Sequence, residues 1–235
     1  MANKSGAAGG ALLRGTKLIK KAIEAGRTEA LAEPEPVAAA VLKKLVLPNG
    51  EGISSSMKEL LKVDGLWLGM EFDEDEGDIE SVTFEEAVDD FFGEDAGVLF
   101  GEACELFDGD CIPIGGASDS LRVLYVGEPD ESGEYAVLTV TKEPTPWVEL
   151  VPFDVWVGQE LGALTASSKL GAAPAGYEAA AKELADATGD GRVGFAPTAG
   201  EKSEADDEDD EDDEDDEDEE DAAEEEEADK GATET

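Results

Sequence analysis

The carboxyl-terminal part of the chain limits most strongly which residues can belong to a folded domain, because residues 204–227 are nearly all aspartate and glutamate. The run contains no aromatic residue and no apolar side chain larger than alanine, so it cannot bury enough surface to offset the entropy of folding. Residues 201–235 hold 24 acidic residues and two lysines, a net charge of −22. We therefore predict a disordered, self-repelling Asp/Glu tail over 201–235.

This predicted tail has two interpretations that composition does not separate. It either keeps the chain soluble and extended, or it attracts a basic partner at a range of about 8 Å in physiological salt. In the second case the tail could occupy a nucleic-acid site on that partner.

The charge of the whole chain excludes several classes of function. The 235 residues carry a formal charge of −44, with a net −26 over 51–200 and a net +4 over 1–50. Such a chain is not expected to bind nucleic acid by general attraction to phosphate. Histidine is absent, which excludes Ser-His-Asp catalysis, Cys-His catalysis and the usual zinc sites.

The sequence also predicts where the protein resides. No run of about 18 apolar residues is present, so we expect no membrane-spanning segment and no membrane partner. The amino terminus lacks the apolar core of a secretory signal. Cys104 and Cys111 make no disulfide framework, which fits a reducing compartment. We predict a cytoplasmic protein, and the sequence indicates no particular oligomeric state.

Composition divides the chain into four predicted regions. Residues 1–36 form a basic, partly helical segment and linker, in which a thin apolar stripe predicts a loosely docked helix over 10–31. Residues 37–164 contain most of the aromatic residues and have the size of one domain. Residues 165–200 are an Ala/Gly-rich linker with a short helix over 177–188, and 201–235 are the tail.

Helices precede strands in the predicted domain. A short helix is expected over 37–46, ended by proline and glycine. A second follows three serines, with Ser56 and Glu59 at the spacing of a capping box. Thr83 and Glu86 have the same spacing, ahead of a third helix. Its apolar face would comprise four residues, which are Phe84, Val88, Phe91 and Phe92.

Strands are predicted over 121–126, 135–141 and 147–151, the first two joined by a turn-rich segment as an antiparallel hairpin. A closing helix starts at Pro152 and places five apolar residues on one face, namely Phe153, Trp156, Val157, Leu161 and Leu164. The predicted fold class is α+β, a small antiparallel sheet flanked by helices.

No motif that would carry catalysis is complete. Residues 186–197 begin like a calcium loop but place Pro197 where a bidentate glutamate belongs, and 73–80 match less well. Asp108, Asp110 and Asp119 are interpreted as turn residues. Cys104 and Cys111 lack a neighbouring base. No phosphate-binding glycine motif occurs. We predict a protein that is not an enzyme and holds no metal or cofactor.

The segment 111–119, CIPIGGASD, resembles the Smi/Knr-type family of the SUKH superfamily. Members commonly carry an apolar-Pro-apolar-Gly-Gly step followed by small residues and an aspartate. The order of the elements agrees, from Leu47-Pro48 and the helix 56–65 to the closing aromatic helix. The resemblance covers about residues 40–164. The matching motif residues, interpreted as structural, are Pro113, Gly115, Gly116 and Asp119.

The resemblance implies binding rather than catalysis, because bacterial members are typically immunity proteins that neutralise a toxin by stoichiometric association. Many such toxins are nucleases or deaminases and therefore basic, and an acidic inhibitor suits them. The alternative is an acidic scaffold or chaperone-like regulator of other basic proteins. From charge alone we predict a partner-binding face formed by ten acidic residues, which are Asp73, Glu74, Asp75, Glu76, Asp78, Glu80, Glu85, Glu86, Asp89 and Asp90.

Overall fold

The structure, a computed structural model, describes residues 13–115, 119–165, 171–172 and 192–200. These residues build a six-stranded sheet with the strand order β1-β2-β3-β4-β6-β5. Neighbouring strands are antiparallel except for β5 and β6, which are parallel. The strands are β1 (Cys111–Pro113), β2 (Leu121–Tyr125), β3 (Ala136–Thr141), β4 (Trp147–Pro152), β5 (Gly171–Ala172) and β6 (Val193–Phe195).

Helices cover both faces of this sheet. Over the described ranges they are α1 (Thr16–Gly26), α2 (Ser55–Leu61), α3 (Phe84–Phe92), α4 (Ala96–Leu99), α5 (Gly101–Leu106) and α6 (Phe153–Glu160). The predicted α+β class, an antiparallel sheet flanked by helices, is confirmed.

Alternate residues of the strands point to two separate apolar cores. Ile112 and Leu124 lie in the first core, together with α1, α2, α6 and the buried apolar residues of the segment 37–79. Their chain neighbours Cys111 and Val123 lie in the second core, together with α3, α4 and α5. The alternation follows from the two-residue period of a strand. The elements packed on the first core, namely α1, α2, α6 and the segment 37–79, are called the α1 layer. The helices packed on the second core, α3, α4 and α5, are called the α3 layer.

The predicted hairpin is confirmed. β2 and β3 pair in antiparallel register, with Val123 opposite Leu138. The third predicted strand is β4, which pairs with β3. α6 begins directly after Pro152, a residue that is preorganised for a helix start because its φ angle is fixed.

Two predictions about the early helices are wrong. Residues 39–44 form a series of turns rather than a helix over 37–46, because the Val46 backbone N–H donates to the Gly77 carbonyl at 3.0 Å instead of continuing a helical hydrogen-bond pattern. The cap of α2 is Ser54, whose hydroxyl accepts a hydrogen bond from the Met57 backbone N–H at 3.1 Å. The hydroxyl of Ser56 instead donates to the buried carboxylate of Glu134.

The prediction of a loosely docked amino-terminal helix is also wrong. Leu18, Ile19 and Ala22 of α1 are completely buried, and α1 packs against both α2 and α6. Gly26 allows this close approach, because a Cβ atom there would lie 2.8 Å from a methyl carbon of Leu161. Residues 16–26 therefore complete the first core.

Residues 192–200 are not a linker, in contrast to the prediction for 165–200. β6 extends the sheet beyond β4, and the guanidinium of Arg192 bonds the carboxylate of Glu149 at 2.7 Å. The backbone N–H of Glu102 donates to the carbonyl of Thr198 at 2.9 Å. The predicted helix over 177–188 and the tail over 201–235 lie outside the described residues.

Along the described ranges, no helix is both long and apolar enough to cross a membrane.

Candidate protein-binding surfaces

Helix α3 carries the first candidate surface and is fixed by local interactions. The Thr83 hydroxyl accepts from the Glu86 backbone N–H, and the Glu86 carboxylate accepts in return from the Thr83 backbone N–H at 2.8 Å. This confirms the predicted capping box and lowers the pKa of Glu86. Phe84 and Val88 face the second core. Glu85 and Asp90 lie in solvent.

One apolar residue predicted for the buried face of α3 is exposed instead. Phe91 has 38 % of its surface accessible, and Leu99 of α4 has 36 %. Phe92 takes the inner position, because its ring stacks on Phe100 with a centroid distance of 6.1 Å. Phe91 meets Phe92 edge-on at 4.8 Å and remains at the end of the helix. Sequence periodicity missed this, since it places both rings on one face.

We call the exposed residues of α3 and α4 the α3–α4 surface; its members are Glu85, Glu86, Asp90, Phe91 and Leu99. Large apolar side chains surrounded by charged residues are typical of protein-binding surfaces, in which a few aromatic anchors supply most of the binding energy. Asp89 is half-buried, and its carboxylate accepts from the Gly97 backbone N–H at 2.6 Å. Asp89 therefore holds α4 against α3.

The second predicted acidic segment, 73–80, is an ordered turn. The Asp73 carboxylate accepts from the backbone N–H groups of Asp75 and Glu76. The Lys44 ammonium donates to the Asp75 carbonyl at 2.7 Å. Gly77 has a φ of 90°, and a Cβ atom there would lie 2.5 Å from the carbonyl oxygen of Lys44. Glycine is therefore required at this position.

The structure places these two acidic segments in different layers. Ile79 of the turn packs in the first core, whereas Phe84 begins the helix that covers the second. Nine of the ten predicted acids are exposed and Asp89 is half-buried. Among the described residues none of the ten forms an ion pair. The Lys44 ammonium lies at the backbone of the 73–80 turn, but no described cation pairs directly with any of these ten carboxylates.

The residues of the resemblance motif lie at the edge of the sheet. Pro113 ends β1, and the Gly115 backbone N–H donates to the Leu68 carbonyl at 2.7 Å. A Cβ atom on Gly115 would meet only ordinary contacts, with the Leu68 oxygen 3.7 Å away. The contact of Gly115 is therefore made by its backbone and does not require the absence of a side chain. Asp119 is exposed, and Gly116 lies outside the described residues.

Sequence reasoning missed a buried polar cluster at the start of α1. The fully buried carboxylate of Asp154 accepts from the Arg14 guanidinium at 2.9 Å and from the Gly15 backbone N–H at 2.5 Å. Arg14 also pairs with Asp130 at 2.5 Å. Burial by itself lowers the pKa of Arg14, but the hydrogen bonds to Asp154 and Asp130 raise it by more, so that the net pKa lies above its ordinary value. This cluster fixes the position of α1.

Glu134 borders the same cluster and titrates near neutrality. The pKa of Glu134 is raised to about 7, because burial and the neighbouring Asp154 and Asp130 carboxylates raise it more than the Ser56 hydrogen bond and the Arg14 charge lower it. A cavity of about 550 Å³ lies between Glu134 and the residues that precede α1. The 140-residue separation of Arg14 and Asp154 leaves no local pattern from which this cluster could be predicted.

The two thiols differ in their burial. Cys111 is fully buried and Cys104 half-buried. Burial raises the pKa of Cys104 to about 11 and that of Cys111 to about 12. Both are therefore protonated and poorly nucleophilic at neutral pH.

Comparison with known proteins adds one distant similarity. No family model and no curated protein matches the chain. A solved structure of an uncharacterized protein from Salmonella enterica subsp. enterica serovar typhimurium is similar, with 19 % sequence identity and a TM-score of 0.45. The match covers 67 % of this chain and 81 % of that one.

Proposed function

We propose that the protein is a non-catalytic binding protein of the immunity type, which neutralises a basic toxin by stoichiometric association. The observation that carries the proposal is the α3–α4 surface, where the partly exposed ring of Phe91 lies on a helix whose outer carboxylates have no ion-pair partner among the described residues. The resemblance of residues 40–164 to the Smi/Knr-type family supports the same function. We place its action in the cytoplasm.

The charge of this surface accounts for the choice of a basic partner. Opposite charges steer two proteins together and increase the association rate, and they disfavour partners of the wrong sign. Phe91 would then be buried at the interface, where an aromatic side chain slows dissociation. A nuclease or deaminase toxin presents the positive surface that this arrangement needs.

The test measures toxin activity against increasing amounts of the full-length protein, with a basic toxin encoded by a neighbouring gene. We expect inhibition to be complete at one equivalent. Phe91→Ala should raise the dissociation constant by about tenfold or more, the effect typical of an interface hot spot. Because the ring is partly exposed, this variant should remain folded, which circular dichroism would verify.

A toxin that stays fully active in an excess of the protein would contradict the proposal. Recovery of many unrelated basic proteins, lost on deletion of residues 201–235, would instead favour the alternative of an acidic scaffold or chaperone-like regulator. The two functions therefore differ in stoichiometry and in their dependence on the tail.

A further inference from the structure

Positive charge in this acidic protein is concentrated near the start of the chain. Residues 1–62 have a net charge of +4, whereas residues 63–235 have a net charge of −48. Nine of the twelve basic residues within the described ranges fall between positions 14 and 62, a part of the chain that packs on the first core. The α1 layer is therefore where an acidic surface of another molecule finds most of the described cations.

A groove in this layer combines lysines with an apolar floor, and we call it the lysine groove. Its volume is about 560 Å³, and its lining is Val37, Ala39, Leu42, Lys43, Lys58 and Lys62. Lys43 and Lys58 form no ion pair with any described residue. The Glu59 carboxylate lies 2.7 Å from the ammonium of Lys62 and 3.9 Å from that of Lys20. One carboxylate thus faces two cations, and the groove keeps a net positive charge.

An exposed apolar side chain lies next to this groove. Leu66 has 67 % of its surface accessible. The residue before it, Gly65, packs against Val37 of the groove so closely that a Cβ atom would lie 2.5 Å from a Val37 methyl carbon. The buried carboxylate of Asp64 accepts from the backbone N–H groups of Leu66 and Trp67, at 2.9 and 3.1 Å. The turn therefore holds Leu66 in solvent beside the groove.

The α3–α4 surface has the complementary pattern. Its carboxylates, those of Glu85, Glu86 and Asp90, have no ion-pair partner within the described ranges. They accompany Phe91 and Leu99, which are 38 % and 36 % exposed. A groove of about 560 Å³ is within the size range that accepts a drug-sized molecule, so it has room for a phenylalanine ring. One surface offers acids with apolar anchors, and the other offers lysines with an apolar floor.

We propose that the α3–α4 surface of one copy of this protein binds in the lysine groove of a second copy. Phe91 enters the groove, and the acids of the α3–α4 surface face Lys43 and Lys58. The two surfaces belong to layers on opposite faces of the sheet, so a chain cannot join its own pair. The contact is heterologous, which leaves one groove and one α3–α4 surface free in every dimer and allows the assembly to continue.

The acidic total of the chain opposes this contact, because a large net charge favours separate molecules. In physiological salt, charges more than about 8 Å apart are largely screened. The lysines and carboxylates that meet across the contact are closer together than this, so their attraction is retained while the distant repulsion is reduced. The association should therefore occur in physiological salt and weaken in about 1 M salt, where the Debye length is about 3 Å.

The α3–α4 surface is also the surface to which we assign the toxin. Binding of a toxin and binding of a second copy therefore exclude each other, and this consequence alone depends on the proposed function. The self-association is measured without toxin, so its failure would leave toxin neutralisation to be decided by its own assay.

Sedimentation velocity of the full-length protein tests the proposal. In physiological salt we expect the weight-average sedimentation coefficient to rise with protein concentration, and in about 1 M salt we expect it to return towards the value of the monomer. A protein that remains monomeric at every concentration in physiological salt would overturn the proposal.

Two double variants identify the contact through complementation. The groove variant is Lys43→Gln with Lys58→Gln, and the surface variant is Asp90→Asn with Phe91→Ala. Each alone should lower the association constant by at least about tenfold, the effect typical of interface hot spots. An equimolar mixture should associate again but stop at a dimer, because one variant keeps only its α3–α4 surface and the other only its groove. Circular dichroism verifies that both remain folded.

The matched control is Lys17→Gln with Lys21→Gln, which removes two exposed cations of α1 outside the groove and should leave the association constant within about twofold of wild type. An equal loss in the control and the groove variant would contradict the proposal. Strong association of the surface variant alone would show that another acidic part of the chain fills the groove, and a mixture that stays monomeric would show that the two surfaces do not meet. Either result would also overturn it.

Discussion

Helices α1 and α3 cover opposite faces of one sheet but are held there by different means. α3 is fixed by a capping box between Thr83 and Glu86, three residues apart. α1 has no side-chain cap at its start, and its position depends on Arg14, which bonds a carboxylate 140 residues away. One helix is therefore specified locally and the other by the folded core. A contact between residues three apart can be recognised in a sequence, whereas a contact between residues 140 apart cannot.

The largest effect should come from removing the distant anchor of α1. Asp154→Ala leaves the partly buried guanidinium of Arg14 with Asp130 alone and leaves the Gly15 N–H without an acceptor. We expect the free energy of unfolding to fall by about 3 kcal/mol, since breaking a buried ion pair typically costs 3–5. Urea denaturation measures this change.

The control is an acid that makes no such contact. Asp90→Ala on α3 removes an exposed carboxylate and should change the unfolding free energy by less than about 0.5 kcal/mol. Equal losses for the two variants would show that the anchor does not hold α1.

A pH effect should follow at the same anchor. The pKa of Glu134 is raised to about 7 in the folded protein from an ordinary value of 4.5, so the folded state binds a proton that the unfolded state releases. The stability linked to this proton is complete below pH 4.5 and is lost as the pH rises through 7. Its size is on the order of 1–3 kcal/mol once solvent screening is allowed for.

Glu134→Gln removes this titration. As the pH rises from 5 to 8, the wild type should lose stability through this titration and the variant should not, so the stability of the variant relative to wild type should increase. Arg14, Asp130, Asp154 and Ser56 remain in place around position 134 in both proteins. Thermal unfolding across that pH range checks the expectation. Parallel pH profiles for the two proteins would mean that Glu134 titrates normally.

The smallest of these effects on stability should come from the local cap of α3. Thr83→Ala removes the hydroxyl that accepts from the Glu86 N–H and should cost about 1 kcal/mol. Hydrogen exchange should show the loss as fraying of the first turn of α3, while α1 stays protected. Glu85→Gln, an exposed neighbour without a capping role, provides the comparison. A global loss as large as that of Asp154→Ala would remove the distinction between the two helices.

The same distinction explains how far sequence reasoning succeeded. The Thr83–Glu86 box and the hairpin of β2 and β3 were predictable, because caps, turns and alternation are local signals. β6 was not, since three residues in a small-residue region carry no strand signal until β4 provides a partner.

The candidate site divides in the same way. Its acids were visible in the sequence as a charged helix face. The exposure of Phe91 was not, because it depends on Phe92 stacking against Phe100, which lies between α4 and α5. The segment 73–80 was equally visible as acidic, but only the fold shows that it belongs to the α1 layer.

The most direct test of the central claim is the association rate of the protein with a basic toxin as a function of salt. The account predicts an association rate that falls steeply as the salt concentration rises. At low salt, the double variant Glu85→Lys with Asp90→Lys should associate at least about tenfold more slowly than the wild type, because electrostatic steering of this surface is lost. Glu24→Lys with Glu131→Lys, an equal charge change at exposed positions outside the α3–α4 surface, should reduce the rate far less. Equal rates for the two double variants would contradict the claim.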